Sequence, residues 1–376
     1  MNNNLKEIAR LFLKLGIIGF GGPAVHIAMM KDEVVTKKKW MTEDYFLDLV
    51  GATNLIPGPN STEMAIHIGQ EKAGWRGLIV AGLCFIFPAV LITGFFAWMY
   101  KKYGQLSEIQ PFIYGIKPAI IAIILFAIFP LAKKSLKTKE LYFIGILVLT
   151  LSLLRYNELY LLFGAGFLAL FVFGIKNKLF QNTNQNFLPF VIFPFSISPN
   201  TSVSNGSLFL IFLKIGAILY GSGYVLFAFL DSELVFTGIL SRHQLIDAIA
   251  IGQFTPGPVF SSVTFIGYQI NDWTGAVLAT VGIFLPSFLF VALLNPLVKV
   301  MRRSALFGVF LDAVNVASIA IIVAVCVDIG RSSITDWRTI CIGVTSIIVA
   351  FWFKNINSTL IVIGGSVLGY LLTFAG

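Results

Sequence analysis

The sequence predicts an all-α polytopic membrane protein made of two inverted-topology repeats, with helices broken at Pro-Gly-Pro motifs and about 10–12 membrane segments. Three observations carry that expectation. Hydrophobic residues are 57% of the 376, charged residues only 12%, and mean hydropathy is +0.86; a soluble domain carries about 25% charged residues. The chain also repeats itself: Phe12-Leu-Lys-Leu-Gly16 returns as Phe212-Leu-Lys-Ile-Gly216, an offset of 200. Finally, Pro57-Gly-Pro59 returns as Pro256-Gly-Pro258 (offset 199) and Pro88 as Pro286 (offset 198), each inside an apolar segment. Ordered matches with so little drift define an internal duplication.

The elements follow in order. The first repeat covers residues 1–178, a polar, Pro-containing linker on the membrane surface covers 179–206, and the second repeat covers 207–376. Each repeat opens with an apolar helix holding one lysine, Lys14 or Lys214, two residues before a glycine. Lys6, Glu7 and Arg10 precede the first of these and no small-residue cleavage site follows, so it reads as fold rather than signal peptide. A Gly cluster comes next, Gly19 to Pro23 in one copy and Gly221-Ser-Gly223 in the other, followed by a short loop with Glu33 matched by Glu233.

The Pro-Gly-Pro segments cannot be continuous helices. The first Pro disfavours α geometry before it, neither Pro donates an N–H, and Gly58 or Gly257 between them admits unusual dihedrals. Two half-helices meeting at a sharp break is the economical reading. Such backbone survives at membrane depth only where protein buries it or water reaches it. Plain spans complete each repeat: Leu78 to Tyr100, Phe112 to Ala132, Leu141 to Leu154 and Leu159 to Ile175 in the first, with Ala276 to Val298 and Phe310 to Val327 clear in the second.

Charge sets the topology. Lys133, Lys134, Lys137 and Lys139 mark one cytoplasmic loop, and Lys299, Arg302 and Arg303 another. These follow opposite ends of equivalent helices, so the halves are expected to be inverted, with five crossings and one re-entrant hairpin each. Lys101 and Lys102 fall outside in this scheme. The same clustering at span ends accounts for the net charge of +9 without nucleic acid. Three isolated Cys and three scattered His offer no metal spacing. Phosphate-loop, nucleophile-elbow and zincin motifs are absent, so neither an enzyme nor a cofactor is expected.

The candidate site lies at the breaks. Asn60 and Ser61 follow the first, and Ser261 and Ser262 the second; such residues cap new helices whose free N–H groups form an anion site. Asn54 and Gln253, three residues before each motif, can donate to an oxyanion or satisfy a freed carbonyl. Lys14 and Lys214 would complement two half-helix dipoles that together supply only about one positive charge; snorkelling to an interface is the bland alternative. Gly21, Gly22 and Gly221 suit either ligand lining or tight packing. Glu33 and Glu233 could carry coupling protons, or simply sit in salt bridges at a span end.

In its ordered motifs the chain resembles the chromate ion transporter family: Phe20-Gly-Gly-Pro23, Glu33-Val-Val, Trp40-Met-Thr-Glu43, Pro57-Gly-Pro59 and the Pro88 span, then Glu233-Leu-Val, Gln253-Phe-Thr-Pro-Gly-Pro258, Gly267, Gly275 and Pro286. The resemblance covers nearly the whole chain, twice. It implies a two-domain secondary transporter in the cytoplasmic membrane that exports chromate, with sulfate as a second oxyanion, and so confers resistance. It also implies oppositely oriented halves. Two departures, Asn54 where the family favours Gln and Gly-Ser-Gly in place of the second Gly-Gly-Pro, imply unequal sites. The same fold could carry another small anion or a cation. A homodimer is compatible with the sequence, which fixes no interface.

Overall fold

The computed structural model describes residues 3–20, 22–104, 106, 110–176, 203–220, 223–301, 304–353, 356 and 358–374, with backbone only at 294–301, 305 and 374. Every regular element among them is helical. The expected linker lies outside the described residues as far as 202, as do Gly21, Gly221, Arg302 and Arg303.

The first half begins with α1 (Asn3–Ile18), α2 (Pro23–Lys31) with a π-helical extension (Asp32–Lys37), and α3 (Glu43–Thr53). Gly22 at φ 82° turns the chain between α1 and α2, and Pro23 starts the new helix without losing a needed N–H. Thr42 caps α3 by accepting from the Tyr45 N–H. Met30 and Val34 share a buried cluster with Ile8, Phe12 and Leu15, so α2 folds back along α1. A cleft of about 410 Å³ joins Asn4, Trp40, Thr42, Tyr45, Glu71 and Lys72. The start of α1 and the α2–α3 turn therefore share one face, here called the near face.

Helix α4 (Asn60–Tyr103) is two arms folded at Ala73 and Gly74, where φ is −149° and +62°. The arms touch through glycine: a Cβ on Gly69 would come 2.3 Å from the Gly77 carbonyl oxygen. The first arm returns to the near face at Lys72 and the second crosses to the far face. Leu83, Phe87, Leu91 and Phe95 stand exposed at four-residue spacing along that arm, a lipid-facing stripe. Three more helices follow, α5 (Gln110–Ser135), α6 (Lys139–Leu153) and α7 (Glu158–Lys176), of which α5 and α7 are long and apolar enough to cross a membrane. Lys176 returns to Glu140 at the near face.

The second half repeats the plan as α8 (Asn205–Ile218), α9 (Val225–Leu230) with a π-helical turn (Asp231–Val235), α10 (Arg242–Phe254), a 3₁₀ turn (Val259–Ser261), α11 (Ser262–Met301), α12 (Ala305–Ser333), α13 (Trp337–Trp352) and α14 (Ser358–Phe374). Helix α11 folds at Asn271 and Asp272, and a Cβ on Gly267 would come 2.3 Å from the Gly275 carbonyl oxygen, as one on Gly69 would from that of Gly77. The halves are inverted. Gly82 lies against Phe288 and Gly94 against Trp273, so the long arms of α4 and α11 run antiparallel. Asp272, at the second fold, pairs with Lys101 at the far end of α4 at 2.6 Å.

Among the described residues five helices are long and apolar enough to cross a membrane: α4, α5, α7, α11 and α12. In the first half two pairs, α1–α2 and α3 with the first arm of α4, return to the near face. The halves also interlock: α5 packs with α13 and α14, and α12 packs with α6 and α7.

Candidate functional site

The two breaks are tied to one another's halves. Gly58 at φ +136° donates its N–H to the Leu219 carbonyl at 2.8 Å, and Gly257 at φ +90° donates to the Gly19 carbonyl at 2.7 Å. Leu219 and Gly19 are themselves equivalent, the first carbonyls past α8 and α1. Each Pro-Gly-Pro glycine thus satisfies the orphan end of the other half's first helix, the reciprocal contact that a two-fold relation between the halves makes twice. A Cβ at Gly58 would fall 2.5 Å from both Glu63 Oε1 and Ser287 Oγ, and one at Gly257 3.0 Å from the Ala89 Cβ. Each break therefore rests on the residue after the other half's span proline, Pro286 or Pro88.

Beyond each break a helix starts inside protein. Asn60 opens α4, and Ser61 and Thr62 are buried; Ser261 and Ser262 are buried at the start of α11. Thr93 donates to the Ala89 carbonyl at 2.6 Å and reaches Ser261 Oγ at 3.3 Å. Thr62 Oγ1, Ser262 Oγ and the Gln253 Nε2 are buried with no hydrogen-bond partner. Orphaned buried polar atoms are costly, which makes these three the candidates for contact with a bound solute. Gln253 neighbours Tyr224, whose hydroxyl lies 3.9 Å from where a Cβ on Gly22 would stand. Asn54 behaves differently. It donates to the Val50 carbonyl and accepts from Asn60 at 2.8 Å on an exposed surface.

The lysines are already partnered. Lys14 Nζ donates to Glu33 Oε1 at 2.9 Å, and Lys214 Nζ to Glu233 Oε1 at 2.5 Å. Lys37 also reaches Glu33, at 3.3 Å. Their hydrogen bonds, that of Lys14 foremost, hold the Glu33 carboxyl below the usual carboxylate range. The pairs sit at equivalent places, but Lys14 leaves 55% of its side chain exposed and Lys214 25%.

Sequence reasoning missed three residues here. His26 is buried, its Nε2 2.8 Å from the Gly19 oxygen, sharing that carbonyl with Gly257. Glu63 and His67, one turn apart on the first arm of α4, are each 0% exposed. The signal was available for Glu63: a carboxylate four residues past Pro59 and followed by an apolar run is an expensive choice in a membrane segment.

Two inverted halves, each with a helix broken at Pro-Gly-Pro and restarting at their shared interface, are the architecture of a membrane carrier. The chain belongs to the chromate transporter family, whose model matches residues 6–170 and 206–370. It is 30% identical over 98% of its length to a probable chromate transport protein of Synechococcus elongatus, covering 95% of that protein. It is 28% identical over 97% of its length to a chromate transport protein of Cupriavidus metallidurans, covering 92%. An uncharacterized transporter of Methanocaldococcus jannaschii is 26% identical over 99% of the chain and 95% of its own. No solved structure matches the chain.

Proposed function

We propose that this protein is a secondary transporter that exports chromate, and carries sulfate-like oxyanions, across the cytoplasmic membrane by alternating access between its inverted repeats. The observation behind this reading is the buried, unpartnered hydroxyls of Thr62 and Ser262 at the two helix starts, with the unpartnered amide of Gln253 buried at the end of α10. Helix N–H groups and neutral donors suit a tetrahedral oxyanion, which offers acceptors on every side. Lys14 and Lys214, balanced by Glu33 and Glu233, set the local potential rather than supply two free charges. Names of the relatives favour chromate as the substrate.

Exposure supports one direction of access. In the first half α3 carries exposed Asp48 and Asn54, and α1 carries exposed Lys14. Polar groups on elements of this depth belong to a water-filled vestibule rather than to lipid. Of their counterparts, Asp247 and Gln253 are buried and Lys214 leaves only 25% of its side chain exposed. Lys133, Lys134 and Lys137 end α5 on the near face, which makes it cytoplasmic by the positive-inside bias. An inward-open carrier is ready to load from the cytoplasm, and the inside-negative potential favours leaving with a dianion by about 4.6 kcal/mol per 100 mV.

The test is flux from proteoliposomes with chromate, sulfate, molybdate, phosphate, chloride and a small carboxylate, with thermal unfolding against the same panel. A ligand at 100 times its Kd adds about 2.7 kcal/mol of stability. Chromate flux lost in Gln253→Leu supports the site. Stabilisation and flux by another solute overturn the substrate, and no flux of any solute overturns the transporter.

A further inference from the structure

We propose that Glu63 and His67 form a proton-carrying site, so that a proton and the anion bind together and cross in the same direction. This rests on the transport reading above. Both Glu63 carboxyl oxygens and both His67 ring nitrogens are fully buried with no hydrogen-bond partner. Four residues apart, the two side chains share one face of the first arm of α4. Ser287, from the long arm of α11 in the other half, is the polar neighbour of Glu63, and its Oγ is unpartnered too.

Among the described residues the surroundings offer no counter-charge. Tyr220, in the connection after α8, is the titratable group facing Glu63 from the other half. Tyr224 follows it and lies beside Gln253. From α1, Lys14 turns outward to Glu33; from α2, His26 is bound to the Gly19 carbonyl; from α3, Asp48 is exposed. An ionised carboxylate with no cation and one hydroxyl, that of Ser287, for a neighbour is very costly in such a place, so the pocket accommodates the neutral acid. A dianion seated at the Thr62 helix start, one residue away, adds repulsion against any ionised Glu63. Anion binding therefore requires the proton. When the anion leaves and water enters, the carboxyl O–H breaks and its proton passes to that water, directly or through the His67 imidazole.

The site is single. The equivalents of Glu63 and His67 in the second half, at the offset of 199, are Ser262 and Ile266. One exported dianion with one proton still carries a net negative charge outward, so the membrane potential drives the cycle.

The experiment is chromate efflux from proteoliposomes at alkaline pH, where the anion is fully ionised, with a pH dye trapped inside. Expected is internal alkalinisation that tracks chromate loss in wild type and His67→Gln. In Glu63→Gln, a near-isosteric change, proton movement is lost while thermal stabilisation by chromate remains. Proton movement in the opposite direction, chromate efflux without proton movement in wild type, or proton movement surviving in Glu63→Gln overturns the proposal. Wild type that moves no anion at all instead overturns the transport reading, and the wild-type dye trace separates these cases without any variant.

Discussion

Helices α1–α3 and α8–α10 are built from equivalent sequence, yet one set stands open and the other is sealed. In the second half, Asp247 on α10 is buried and accepts the Tyr100 hydroxyl of α4 at 2.5 Å. Its equivalent on α3, Asp48, is exposed. Asp231 is gripped by Arg242 at 3.0 Å and Arg155 at 3.9 Å, and Arg155 reaches Asp328 at 2.9 Å. The matching pair in the first half is Lys31–Glu43, with the charges exchanged and both side chains exposed. Helix α10 packs on α5 and α14, whereas α3 contacts only its own half's α2 and α4 among the stronger pairings. One architecture in two environments is what an alternating-access carrier needs, because the same inverted elements must be able to exchange those environments.

The strongest way to break the comparison is to attack what the halves share. Gly69→Ala and Gly267→Ala each put a methyl 2.3 Å from a backbone oxygen of the facing arm. The arms must separate, at about 3 kcal/mol each. Equal losses of thermal stability would support a common architecture; a large loss in one and none in the other would mean the two folds are not equivalent.

Next come the contacts that only the sealed side makes. Asp231→Ala removes one of the two carboxylates, Asp231 and Asp328, that Arg242 and Arg155 share, and is expected to cost about 2 kcal/mol, below the range for a fully buried pair because Asp328 remains and Arg155 is half exposed. Tyr100→Phe strands the Asp247 carboxyl, at about 1–2 kcal/mol. Glu43→Ala on the open side should cost under about 0.5 kcal/mol, as exposed pairs do. Denaturant melts in one detergent would rank the three. If Glu43→Ala equals Asp231→Ala, the near face is not open.

Much of the fold was legible because its causes are local. Proline and glycine break a helix wherever they fall, and twenty apolar residues must cross. Inversion was legible from the lysines and arginines at span ends. What the sequence hid was contact between halves. Nothing in Pro57-Gly-Pro59 says that Gly58 bonds to Leu219, because that bond exists only once two repeats face each other. Lys14 and Glu33 were both singled out, for binding and for coupling, yet their pairing depends on α2 folding back along α1. His26 looked like a scattered histidine until the Gly19 carbonyl needed two donors.

The smallest expected effect separates the faces by pH. Lys14 and Lys37 depress Glu33, so its stabilisation is complete above the ordinary carboxylate value near 4.5 and is lost as pH falls through its lower folded value. Asp231 has the opposite sign. Burial is the largest influence on it and raises its pKa in spite of Arg242 and Arg155. The folded state therefore takes up its proton first, and stability rises as pH falls from that raised value toward 3.8. The two effects oppose each other in the same acidic window. Melting temperature followed downward from pH 6 should fall less steeply in Glu33→Gln than in wild type, and more steeply in Asp231→Asn once each curve is referred to its own pH 6 value. Parallel curves for all three would mean that neither carboxyl differs between folded and unfolded chain, and the electrostatic contrast between an open and a sealed face would have to be given up.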